Sequence, residues 1–223
     1  MKIALDGPSG AGKSSLAKAI AKELHIVYVD TGALYRSIGL FVRGREVDPK
    51  NAEAVIACLP DIQLEMVFEK GEQHIYLCGE DVGDRIRTPE ISMYASAVSA
   101  IPAVREFLLE TQRSIARKTS VIMDGRDIGT VILPNADVKI FLTASDECRA
   151  TRRYEELKAK GIDTTYEQVL ADMRERDAND RNREVAPAVA AADAVTLDNS
   201  WMTPDESASA VIGLVEKVAK DRI

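Results

Sequence analysis

Gly7-Pro8-Ser9-Gly10-Ala11-Gly12-Lys13-Ser14 matches the pattern G-x-x-x-x-G-K-[ST] at every fixed position. The residues before it, Ile3 to Asp6, read as a short buried strand, and those after it, around Ser14 to Leu24, as a helix. Strand, glycine-rich turn and helix in that order make a phosphate cradle. The glycines let successive backbone N–H groups converge on phosphate oxygens, and the following helix aims its positive end at them. Lys13 adds a mobile charge for the β- and γ-phosphates, and the Ser14 hydroxyl can ligate Mg²⁺. The whole stretch from Gly7 to Ser15 is thus the candidate binding loop for ATP or GTP with Mg²⁺.

Working outward, strand-like and helix-like stretches alternate, the pattern of a parallel sheet wrapped by helices. Ile26 to Val29 is a second strand, ending at Asp30-Thr31-Gly32; Val121 to Met123, Val138 to Leu142 and Ala194 to Leu197 make the count about five. Thr203-Pro204-Asp205-Glu206 opens the last helix with an N-cap, proline at the first helical position and a capping-box glutamate. Thr164 with Glu167 carries the same signature. Ile62 to Phe68 and His74 to Cys78 instead alternate with period two around Lys70-Gly71, which predicts a half-exposed antiparallel hairpin in an inserted lobe.

With 223 residues, 46% hydrophobic and 29% charged, the chain fits one α/β domain with a small insertion. A net charge of −7 argues against non-specific binding to nucleic acid or anionic membranes. No apolar run approaches the length of a bilayer span, and the opening residues lead straight into the cradle, so the expected address is the cytoplasm. Cys58, Cys78 and Cys148 are widely spaced, which suits a reducing compartment and predicts buried, inert thiols. No heptad pattern or other assembly signal appears, so a monomer is expected. Neither histidine carries chemistry in this reading, His25 lying at a helix end and His74 in the hairpin.

Asp124 closes the apolar strand Val121 to Met123, where such folds place the carboxylate that holds Mg²⁺; a strand-end aspartate also serves as a turn or helix cap. A GTPase would need N-K-x-D and D-x-x-G, and the sequence has neither. It has instead separated arginines near strand ends and polar turns: Arg36, Arg126, Arg176, Arg181 and Arg183. Guanidinium forks bind phosphate bidentately, so this array in an acidic chain implies a second phosphate site.

Asp6 to Lys13, Asp30-Thr31-Gly32-Ala33-Leu34-Tyr35-Arg36, Asp124-Gly125-Arg126-Asp127-Ile128-Gly129-Thr130 and the run Arg176-Asp177 to Asp180-Arg181-Asn182-Arg183 together closely resemble bacterial-type cytidylate kinases. The resemblance runs along nearly the whole chain in the same order, and the last two motifs discriminate it from other cradle-bearing enzymes. It implies a P-loop nucleoside monophosphate kinase fold of the α/β class in a single domain. The core would be 1–57 and 99–223, an inserted nucleotide-binding lobe about 58–98, and a short lid about 149–161. It also implies transfer of the γ-phosphate of ATP to CMP or dCMP. Thr31, Arg36, Arg126 and Arg183 would hold the CMP phosphate, Ser96, Arg105 and Asp127 would read the cytosine edge, and Arg176 and Asp180 would approach the ribose. Arg149, Arg152 and Arg153 are the lid arginines among which the resemblance does not choose. Catalytic charge would come from Lys13, Arg126, Arg183 and the lid. A packing role for Ser96, on a small-residue helical stretch, is the alternative at that position.

Chemistry supports the assignments. Asp127 can accept the cytosine amino group, whereas uracil presents a carbonyl there, an opposition worth about 10⁴-fold in favourable cases. A monophosphate is largely a dianion at neutral pH and needs no general base. Rival readings are a P-loop kinase for UMP, AMP or a small metabolite, and a nucleotide-dependent regulatory ATPase.

Overall fold

The computed structural model describes residues 1–69 and 72–220. Their elements, in chain order, are β1 (Lys2–Asp6), α1 (Lys13–Glu23), β2 (Val27–Asp30), α2 (Thr31–Gly44), α3 (Ala52–Cys58), β3 (Leu64–Glu69), β4 (Glu72–Leu77), β5 (Glu80–Asp81), α4 (Pro89–Ser99), α5 (Pro102–Lys118), β6 (Val121–Gly125), β7 (Val138–Thr143), α6 (Asp146–Ala159), α7 (Tyr166–Asn182), β8 (Val195–Asp198) and α8 (Pro204–Lys220). A π-helical turn, Ile128–Ile132, follows β6. The larger sheet has five strands and the smaller three. The residues group into two compact units, Met1–Ile26 with Ser120–Ile223, and Val27–Thr119.

In the first unit the strands run β6-β1-β7-β8, and all three pairings are parallel. They are apolar because both faces of a helix-wrapped parallel sheet are buried; Ile3, Ala4, Leu5, Ile122, Met123 and Leu142 are fully enclosed. Asp6 pairs in register with Gly125 on one side and Phe141 on the other. The loops leaving β1, β6 and β7 therefore emerge together at the C-terminal edge, where open α/β sheets bind ligands. Helix α1 buries Leu16, Ala17, Ile20 and Ala21, an i, i+1, i+4, i+5 stripe. Helices α6 and α7 share a separate core of Ala150, Leu157, Val169 and Met173, with Tyr154 edge-on to Tyr166.

The second unit carries β2 and the antiparallel sheet β3-β4-β5. The hairpin pairs Leu64 with Leu77 through to Glu69 with Glu72. Its expected turn at Lys70-Gly71 lies outside the described residues. Leu34, Ile38 and Val42 of α2, Ile75 and Leu77 of β4, Ile91 and Val98 of α4 and Leu108 of α5 form one core. That core explains why the unit extends to Val27–Thr119, further than the hairpin and its following helix. Gly39 lets α2 approach α4 closely: a Cβ there would stand 3.0 Å from Ala95 N and from Tyr94 Cβ.

Several local expectations need correction. The N-cap of α7 is Thr165, whose hydroxyl accepts the Gln168 N–H at 3.2 Å, not Thr164. The box at α8 forms as expected, Glu206 N–H donating to Thr203 Oγ1 at 3.2 Å and Thr203 N–H to Glu206 Oε2 at 2.8 Å. Of the cysteines only Cys58 is buried; Cys78 is exposed, because it occupies a left-handed position (φ 50°) in the β4–β5 turn. The stretch 149–161 stands apart from these corrections: it comprises most of α6 and the Lys160-Gly161 that follows.

Candidate active site

The cradle is shaped by backbone that only glycine tolerates. A Cβ on Gly7 (φ 147°) would fall 2.0 Å from the Leu142 carbonyl oxygen of β7. Gly10 (φ 72°) lies over α6 and α7, its virtual Cβ 2.8 Å from Met173 Cε and 3.2 Å from Arg149 Cβ. Lys13 reaches back along the loop, its Nζ donating to Pro8 O at 2.7 Å. Burial pushes the Lys13 ammonium well below the ordinary lysine range, and Arg126 and Arg176 add to the shift against the opposing carboxylates of Asp124 and Asp177. Ser14 Oγ donates to Asp124 Oδ2 at 2.7 Å, so the two expected metal ligands meet at the end of β6.

The turn after β6 is anchored by Asp6, the residue just before the glycine pattern. The Asp6 carboxylate accepts the N–H groups of Ile128 and Gly129, each at 2.7 Å. Desolvation raises its pKa to about 6 even though those amides pull the other way. The turn presents Arg126 and Asp127. Arg126 Nε donates to Asp180 Oδ2 of α7 at 2.9 Å, and Arg183 lies 3.5 Å from Asp127 and 3.9 Å from Asp180. Burial opposes charge on both Arg126 and Asp180, yet each keeps it. Asp180 raises Arg126, and Arg126, Arg176 and Arg183 hold Asp180 below the usual carboxylate range. Residues 54 apart in the chain thus form one buried, charge-balanced cluster beside the cradle.

The three candidate lid arginines occupy different environments. Arg149 is buried, donating from Nε to Ala144 O at 3.1 Å, from one terminal nitrogen to Ser9 O at 2.7 Å and to Asp177, and from the other to Asp146. Arg152 donates to both Asn199 Oδ1 (3.1 Å) and Asn199 O (2.9 Å), and the Asn199 side chain donates to Ala11 O of the cradle at 3.1 Å. Arg153 is half-buried and pairs with Glu156 at 2.7 Å.

In the second unit, Asp30 caps α2 by accepting the Ala33 N–H at 3.0 Å and pairs with Arg36 at 2.7 Å. Thr31, the first residue of α2, is buried. Among the described residues Arg36 Nε is a buried donor with no hydrogen-bond partner. Arg105 is buried on α5, donates to Ser99 O at 3.2 Å and lies over the Tyr35 ring at 5.5 Å. Ser96 is half-buried on α4. The Gln73 side chain of β4 holds the main chain of Asp30 at two points, accepting its N–H at 2.8 Å and donating to its carbonyl at 3.1 Å. Asp6, Asp177, Asn199 and Gln73 are contributors that motif reading alone does not single out. Of the two histidines, His25 is exposed with φ 52°, and His74 pairs with Asp81 at 3.1 Å.

A glycine-rich loop between β1 and α1, a lysine and serine at its end, a strand-end carboxylate on that serine and an adjacent arginine–aspartate cluster define a P-loop phosphotransferase, a nucleoside monophosphate kinase. Comparison with known proteins agrees. The sequence model of the family described as cytidylate kinase matches residues 3–217. A cytidylate kinase of Caldicellulosiruptor bescii is 45% identical over 223 residues, covering 100% of this chain and 99% of the relative. One of Flavobacterium johnsoniae is 48% identical, covering 98% and 97%. In fold, the chain resembles a shikimate kinase of Bacteroides thetaiotaomicron with a TM-score of 0.50 at 14% identity, covering 97% and 98%. The chain belongs to the cytidylate kinase family.

Proposed function

We propose that this enzyme transfers the γ-phosphate of ATP to CMP and dCMP, giving ADP and CDP or dCDP. The observation that carries the reading is Asp6. Its backbone runs directly into the cradle, and its carboxylate holds the turn bearing Arg126 and Asp127. A donor-phosphate loop and an acceptor-reading turn sharing one anchor is an arrangement built for transfer between two bound nucleotides.

In this reading the amides of Gly7 to Ser15 cradle the ATP phosphates and Lys13 balances the charge that develops on the transferring group. Ser14 Oγ and Asp124 Oδ2, 2.7 Å apart, are adjacent hard oxygen donors that suit Mg²⁺. They would hold that ion, which when bound offsets phosphate charge. Thr31, Arg36, Arg126 and Arg183 hold the acceptor phosphate. The buried Nε of Arg36, without a hydrogen-bond partner among the described residues, is the kind of donor that a phosphate oxygen satisfies. Asp127 accepts the cytosine amino group, with Arg105 and Ser96 completing the edge. Arg176 and Asp180 approach the sugar, leaving room in the reading for ribose or deoxyribose. Positive charge near the transferring group comes from the lid arginines, of which Arg149, Arg152 and Arg153 are the candidates. The acceptor is already a dianion, so alignment and positive charge do the catalytic work without a general base.

Among the described residues no helix is long and apolar enough to cross a membrane. The reading places the enzyme in the cytoplasm as a monomer. Its test is ADP release in the presence of ATP and Mg²⁺ with CMP, dCMP, UMP or AMP as acceptor. Strong preference for the two cytosine nucleotides supports it; preference for UMP or AMP, or no acceleration by any of them, overturns the acceptor assignment.

A further inference from the structure

Ser9, in the middle of the cradle, is held through both of its main-chain polar groups by one ion pair. Its N–H donates to Asp177 Oδ1 of α7 at 3.1 Å, and its carbonyl accepts from Arg149 of α6 at 2.7 Å. The other Asp177 oxygen accepts from the same guanidinium nitrogen of Arg149. Arg149 is 4% exposed, and its remaining donors are taken by Ala144 O and Asp146. Beneath the next residue, Gly10, lie Met173 of α7 and the Arg149 side-chain stem. The cradle therefore rests on a floor made by two helices far along the chain, Arg149 lying 140 and Asp177 168 residues beyond Ser9.

A guanidinium enclosed in this way has its charge balanced by the partly buried carboxylate of Asp177 and its fork committed to fixed acceptors. Moving it onto a transferring phosphate would strand Asp177 without its cation and leave the Ser9 carbonyl unpaired, a cost comparable to breaking a buried pair. Arg153 is half-buried and, among the described residues, pairs with a glutamate of its own helix, so it carries no such commitment.

We infer that Arg149 and Asp177 are a positioning pair that fixes the Ser9–Gly10 peptide of the cradle for the donor triphosphate, and that Arg149 is not a charge on the transferring group. Arg176, one residue from Asp177, and Asp180, one helical turn on, belong to the acceptor cluster. The pair thus also fixes α7 relative to the loop. The inference rests on the proposed donor role of the cradle but not on the identity of the acceptor.

The experiment uses Arg149→Lys, Asp177→Asn and the double variant of the full chain. It measures ADP affinity by calorimetry, kcat and KM for each nucleotide, and folding by circular dichroism. Asp177→Asn keeps the shape and one acceptor for Ser9 N–H, so it serves where the arginine variant does not fold. Each single variant should weaken ADP binding and raise KM for ATP by about tenfold or more. At saturating nucleotide, kcat should stay within about threefold, and the double variant should be no worse than the worse single one. A fall in kcat of about a hundredfold with KM for ATP unchanged in Arg149→Lys would make it a catalytic residue and overturn the inference. Unchanged ADP affinity in folded variants would overturn it as well. Because ADP affinity needs no acceptor, a wrong acceptor assignment would show in the acceptor comparison and leave this result intact.

Discussion

Asp6 grips Gly129: one carboxylate oxygen accepts the Gly129 N–H at 2.7 Å while the other accepts that of Ile128 at the same distance. The carboxylate does so at 4% exposure, and desolvation lifts its pKa from 3.8 to about 6. With a folded value above the unfolded one, the folded state binds the extra proton. The associated stability is therefore present below about pH 4 and lost as pH rises through about 6. Relative to Asp6→Asn, the wild-type protein should lose up to about 3 kcal/mol of unfolding free energy between pH 4 and 7.5. Urea unfolding of both proteins across that range checks it; parallel stability curves would contradict the raised pKa of the buried Asp6 carboxyl.

Gln73 does for Asp30 what a neighbouring strand would do, supplying one acceptor and one donor to its main chain. Asp30 in turn caps α2 and steers Arg36, and Thr31 is the next residue. Gln73→Ala removes both bonds, worth about 2 kcal/mol together. The expected result is a rise in KM for CMP of about tenfold with KM for ATP unchanged, read from initial rates with each nucleotide varied. Equal changes in both constants would mean that Gln73 serves stability alone.

Ser14 and Asp124 share a hydrogen bond of 2.7 Å at the end of β6. If they hold Mg²⁺, Ser14→Ala and Asp124→Asn should each raise the Mg²⁺ concentration for half-maximal rate by about tenfold or more, since ligand loss weakens a cation that binds through few protein groups. Removal of divalent cation with a chelator should abolish transfer while leaving the circular dichroism spectrum unchanged. A variant with unaltered Mg²⁺ dependence would reduce the pair to a turn cap.

How much of this was legible in the sequence follows from the range of each interaction. The cradle was, because its chemistry needs fixed residue types within one short stretch, and the parallel strands were, because two-sided burial makes them continuously apolar. The cap at α7 was misplaced by one residue, since Thr164 and Thr165 are both competent and only backbone geometry selects Thr165. The unit Val27–Thr119 was not legible in full: α2 and α5 are amphipathic in any context, and which sheet they cover is settled by packing. Asp6, Asp177 and Gln73 escaped for a related reason. Their partners are main-chain groups 122, 168 and 43 residues away, and a backbone N–H leaves no signature in side-chain identity.

The cytosine assignment depends most directly on Asp127, which is 3% exposed and faces Arg183 at 3.5 Å. The decisive measurement is the ratio of kcat/KM for CMP to that for UMP in wild type and in Asp127→Ala. The expected result is a large wild-type preference for CMP that falls by about a hundredfold or more in the variant, because the buried acceptor for the cytosine amino group is gone. A variant that keeps the wild-type ratio, or a wild-type enzyme that does not distinguish the two acceptors, would contradict it.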